Sequence, residues 1–120
     1  MPPKPEYWIL TKEQFTKFKS QINELGQKLL TNLQANGFTK ITSWDDWLGV
    51  SVEMLKEDIL TFVCFSLIRE SPQEFRLILR SWNINNPSGT CVDLYEKIFN
   101  TIEEYESSFT DESKRIKSFL

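Results

Sequence analysis

The chain has 120 residues, of which 40% are hydrophobic and 26% charged, and its formal net charge is −3. That length reads as one domain, and near-average apolar and charged fractions exclude a disordered chain. The mild acidity excludes the basic surface of a nucleic-acid binder, and a chain with no histidine and two cysteines lacks the commonest general base and the commonest metal ligands.

Residues 1–10 begin Met1-Pro2-Pro3-Lys4-Pro5 and continue into Tyr7, Trp8, Ile9 and Leu10. Proline fixes its own backbone and restricts the residue before it, so this stretch is expected to be an extended arm whose apolar end docks on the body. It has no apolar signal core. Residues 11–120 are expected to form a single helical domain.

Thr11 followed by Gln14 fits a capping box, and Phe15, Phe18, Ile22, Leu25 and Leu29 then recur in steps of three and four. This predicts a long first helix, stopped at Asn36-Gly37, where both residues tolerate the left-handed terminating conformation. After a connector, Ser43 caps a short turn holding Trp44, Asp45, Asp46 and Trp47, and Gly49 closes it. Ser51, with Glu53 near the positive end, opens the next predicted helix. Leu55, Ile59, Phe62, Val63 and Leu67 trace one face, while Leu60, Cys64, Phe65 and Ile68 fill the others. A helix apolar all round belongs at the centre of a bundle. A strand is the rival reading for Thr61–Ile68, set aside for want of a second strand to pair with.

Ser71-Pro72-Gln73-Glu74 carries serine, proline and glutamate where a helix start wants them. Phe75, Ile78, Leu79 and Trp82 follow at helical spacing, then a loop from Asn83 to Gly89. Thr90 with Asp93 opens a further helix with a seam of Leu94, Tyr95, Ile98, Ile102 and Tyr105, and a short last helix after Thr110 presents Ile116, Phe119 and Leu120. The expected fold class is therefore all-α: an irregular bundle of about five helices around a central apolar helix from Leu55 to Ile68.

Trp44, Asp45, Asp46 and Trp47 are the candidate partner-binding residues. Tryptophan is enriched at binding hot spots, and the two acids suit a basic partner; the alternative is that both indoles pack inward. Arg69, Arg76 and Arg80 form a candidate anion clamp, since guanidinium forks match carboxylate and phosphate, with pairing to nearby acids as the competing reading. Backbone donors of the Asn85-Asn86-Pro87-Ser88-Gly89-Thr90 loop, which runs into a predicted helix start, could hold an anion, but the loop lacks the lysine and glycine spacing of a phosphate loop. Cys64 has no histidine to activate it, and no Gly-x-Ser-x-Gly elbow occurs. No catalytic set, metal site or cofactor is expected.

Cys64 and Cys91 read as reduced thiols of a cytoplasmic protein. The apolar run Ile59–Ile68 has about half the ~20 residues of a membrane span. The function expected from these features is a small non-catalytic protein that binds another protein as an accessory, adaptor or inhibitor, without nucleic acid or membrane. Alternatives are a homo-oligomer paired through the seam of the first helix, or a protein that binds a small molecule or phosphate ligand.

Overall fold

The computed structural model describes residues 11–43, 48–68, 71–86, 89 and 91–120. In chain order these form a helix α1 (Lys12–Leu33), five strands β1 (Lys40–Ser43), β2 (Gly49–Lys56), β3 (Ile59–Ile68), β4 (Ser71–Asn83) and β5 (Val92–Phe99), and a helix α2 (Ile102–Ser118). The strands pair antiparallel in sequence order, β1-β2-β3-β4-β5, as one meander. The fold is α+β, not the all-α bundle of helices that the periodicity suggests. The helical character expected of residues 11–120 is corrected with it, while the expected arm at residues 1–10 lies outside the described residues.

α1 forms as its sequence predicts. The Thr11 side chain accepts from the Gln14 backbone, and the Gln14 side chain accepts from the Thr11 N–H, so two orphan donors are satisfied. The helix gives way at Leu33 to a turn of 3₁₀ helix over Gln34–Asn36, and Gly37 ends it with φ at 104°. Ile22, Leu25 and Leu29 of its predicted seam, with Leu33, are buried in the core, and Phe15 and Phe18 pack against that core partly buried.

The predicted central helix is a hairpin. β2 and β3 run antiparallel from Gly49↔Ser66 to Lys56↔Ile59, turning at Glu57-Asp58. Val50 and Val52 of β2 and Val63, Phe65 and Leu67 of β3 point to one face and are all but fully buried. β4 adds Phe75, Leu77 and Leu79 to that face, in register with Leu67, Phe65 and Val63. The Ser71-Pro72-Gln73-Glu74 stretch starts this strand rather than a helix. Proline cannot donate a ladder hydrogen bond, and the register shifts opposite this stretch, between Leu67 and Ile68.

Both helices pack on this inner face. Phe65 lies at its centre, with its ring 4.5 Å from Tyr105 of α2 and 5.7 Å from Phe75, which Phe18 of α1 meets edge-on at 5.6 Å. Lys28 of α1 sits over the Phe109 ring of α2, 5.2 Å from its centroid. Thr101 caps α2 by accepting from Glu104 N–H, so the predicted seam from Leu94 to Tyr105 divides into a strand and a separate helix. Glu103 and Glu104 in its first turn and Arg115 and Lys117 in its last complement the helix dipole. Among the described residues, no helix is long and apolar enough to cross a membrane.

α2 is tied to β5 by a polar cluster. Glu112, 2% exposed, accepts from the Tyr95 hydroxyl and from Lys97 Nζ at 3.1 Å. Burial, then the neighbouring Glu112 carboxylate, pushes the Tyr95 phenol up to about 12. Burial and the same carboxylate also push Tyr105 up. In the unfolded chain both phenols lose their protons near the ordinary value of 10. A folded-state pKa above the unfolded one gives stability that is complete below pH 10 and lost as the pH rises through about 12, because the unfolded chain releases its protons first. The urea midpoint is therefore expected to fall over that window. Phenolate absorbance of the native protein should lag that of the unfolded chain, and Tyr95→Phe should flatten the fall. A urea midpoint independent of pH across the window would contradict the Tyr95–Glu112 contact.

Candidate docking face

The sheet has a second face, and among the described residues no helix covers it. Strand alternation assigns its side chains in rows across the register. One row runs Lys40, Glu53, Phe62, Arg80 and Asp93 from β1 to β5. The next row toward the Glu57-Asp58 turn is Leu55, Leu60 and Trp82. On the other side of the charged row stand Ser51, Cys64, Ile78 and Glu96, followed by Gly49, Ser66, Arg76 and Ile98. Leu55 is 58% exposed and Ile98 47%, and Leu60, Phe62 and Trp82 are half-buried. The small side chains of Ser51, Cys64 and Ser66 are buried low between larger neighbours. The result is a shallow cleft of ≈ 300 Å³ between Glu53, Leu60, Phe62, Cys64 and Trp82, with Cys91 at its rim.

Two ion pairs border this apolar strip on the β4–β5 side. Arg80 Nε donates to Asp93 Oδ1 at 2.7 Å, and Arg76 Nη1 lies 3.7 Å from Glu96 Oε2. Each guanidinium of the predicted anion clamp that falls among the described residues therefore meets a carboxylate of the neighbouring strand. Arg76 and Arg80 stand on β4, not on the helix predicted to open at Ser71. Arg69, and Trp44, Asp45, Asp46 and Trp47, lie outside the described residues. Glu53, Phe62 and Trp82 were not legible as one surface at helical spacing; read at a period of two, Arg76, Ile78, Arg80 and Trp82 separate cleanly from Phe75, Leu77 and Leu79.

Burial pushes the Cys64 thiol up, partly offset by a hydrogen bond with Ser51 and by the Arg80 charge, and a raised thiol is a poor nucleophile. Both cysteines are free. Cys64 lies opposite Ile78, while Cys91 immediately precedes β5, whose first residue Val92 lies opposite Ser81. Rows ~3.3 Å apart and strands ~4.8 Å apart then separate their Cα atoms by roughly 16 Å, far beyond disulfide reach. Among the described residues no group of histidine, cysteine or acidic side chains converges to hold a metal ion. A larger hollow of ≈ 670 Å³ runs along α1 from Thr16 to Lys28, and its described wall is one helix surface of polar and charged side chains. No protein-family model, curated protein or solved structure matches the chain.

Proposed function

We propose that the protein is a non-catalytic protein-binding module, acting in the cytoplasm as an accessory, adaptor or inhibitor, and that it binds through the open face of its sheet. The observation that carries this reading is the one-sided layering. Both helices lie against the inner face, while the outer face keeps Leu55, Leu60, Phe62, Trp82 and Ile98 partly or largely exposed between ion pairs. An apolar centre inside a polar rim is the anatomy of a protein interface, with a phenylalanine and a tryptophan as ready anchors.

The sheet edges support the face as the docking element. A bare edge strand invites another chain to pair with it. β1 is only four residues long. β5 carries a register shift opposite Leu79 and Arg80, and its inward-pointing Lys97 is held by Glu112. Short length, bulges and inward charges are the devices that blunt edges, so backbone pairing is discouraged at both.

Native copurification with the wild-type chain and with Phe62→Asp tests the reading. A bound protein should be recovered with the wild type and reduced at least tenfold with the variant, since a charge at the centre of an apolar patch is left desolvated. Equal recovery with both, or no protein bound to either, a second copy of the chain included, would overturn it.

A further inference from the structure

We propose that the occupant of this face is a second copy of the same chain, packed sheet to sheet about a two-fold axis along β3. The inference rests on the reading of the face as a protein interface and goes further by naming the partner. Its basis is the charged row. From β1 to β5 the row reads Lys40 (positive), Glu53 (negative), Phe62 (neutral), Arg80 (positive) and Asp93 (negative). The sign at each step on one side of β3 is opposite to the sign at the same step on the other.

A two-fold axis lying in the interface along the central strand exchanges the two sides. It brings β2 of one copy over β4 of the other, and β1 over β5. Glu53 then faces the second copy's Arg80, Lys40 faces its Asp93, and Phe62 meets its own equivalent at the axis. Every charge in the row meets its opposite, and each pairing occurs twice, once on either side of the axis. An isologous interface requires such self-complementarity, and a row of one sign, or one symmetric about β3, would repel its copy. The apolar row obeys the same operation, setting Leu55 over Trp82 and Leu60 over Leu60.

Aligned sheets stack ~10 Å apart with strands crossing at ~30°, so the axis bisects the crossing ~15° from β3, which keeps residues one strand from the axis within side-chain reach. The charges are available. Among the described residues neither Lys40 nor Glu53 closes an ion pair, and the Arg80–Asp93 pair, with side chains 35% and 50% exposed, keeps open sides for a second partner. Five strands ~4.8 Å apart and about four outward rows give a flat footprint of roughly 500 Å², and a rugged surface of that footprint approaches the ~800 Å² per partner of a standard interface.

Sedimentation equilibrium of the wild type, of Glu53→Arg, of Arg80→Glu and of an equimolar mixture of the two variants tests the pattern. The wild type should dimerise at micromolar concentration. Each variant alone sets two like-charged pairs across the axis and should weaken the dimer about a hundredfold. The mixture should return to dimer, because each variant then supplies the charge the other needs. Should Arg80→Glu fail to fold, Glu53→Arg carries the test alone: monomeric at low salt, and dimeric again as salt screens the like charges. A monomeric wild type, variants that dimerise like it, or a mixture that stays monomeric would overturn the proposal. If the wild type is monomeric but still captures another protein in a Phe62-dependent way, self-association falls and the reading of the face stands. If neither occurs, both fall.

Discussion

Truncating Phe65 to alanine is expected to destabilise the protein by about 3–5 kcal/mol, the range for removing a fully enclosed aromatic ring. Phe65 is 1% exposed and lies within ring-contact distance of Phe75, Phe99 and Tyr105, at 5.7, 6.5 and 4.5 Å between centroids. These rings come from β4, β5 and α2, so the cavity would open where the sheet meets its helices rather than within one element. Neighbours anchored in three elements cannot collapse into it cheaply, which places the cost in the upper part of the range. Against a total stability of about 5–15 kcal/mol the loss is large, and the melting temperature should drop on the order of 10 °C. Urea unfolding of the wild type and Phe65→Ala measures it. A cost below ~1 kcal/mol would mean that Phe65 is not enclosed by these three rings.

Which parts of this architecture were legible in the sequence follows from how many faces each element buries. α1 buries one stripe, carries its cap and ends at a glycine, and each signal agrees with the others. β3 buries both faces over much of its length: Val63, Phe65 and Leu67 inward, and Cys64 and Ser66 outward. A run that is apolar on both sides loses its alternation and cannot be told from a buried helix by period alone. The turn before it added to the ambiguity. Tight hairpins favour Asn-Gly or Asp-Gly because the turn residues need positive φ, yet here Glu57 adopts φ 56° and marks the chain reversal without any glycine. What remained readable was composition: Val50, Val52, Ile59, Thr61 and Val63 are β-branched residues concentrated in one stretch.

In β4 the difficulty was coincidence. Phe75, Ile78, Leu79 and Trp82 satisfy a helical period, but in the strand Phe75 and Leu79 point inward while Ile78 shares the opposite face with Trp82. The helical reading also omits Leu77, which is wholly buried. This is why the candidate face stayed hidden. Its members lie on five strands, and only the register brings Glu53, Phe62 and Arg80 into line. The seam through Leu94, Tyr95 and Ile98 fails for the same reason and becomes helical only beyond Thr101.

Gly26 separates the two architectures by the sign of a single substitution. In a helix that faces other helices loosely, replacing glycine by alanine in mid-helix gains about 1 kcal/mol. Here Gly26 faces Val50 of β2 and Ile41 of β1 at close range. A Cβ at this position would lie 2.5 and 2.9 Å from the two methyls of Val50 and 3.2 Å from Ile41 Cδ1. Val50 is 1% exposed, and its strand is held on both sides by β1 and β3, so the methyls have little room to retreat. Overpacking of this kind costs about 1–3 kcal/mol, enough to outweigh the helical gain. Gly26→Ala is therefore expected to destabilise by ~1 kcal/mol or more, and Gly26→Leu by about 3 kcal/mol. Removing the obstacle should remove the penalty: Gly26→Ala combined with Val50→Ala should cost at least ~1 kcal/mol less than the sum of the single effects. Equilibrium unfolding of the four chains closes the cycle. A stabilising Gly26→Ala, or additive effects, would mean that α1 does not rest on β2 at this point.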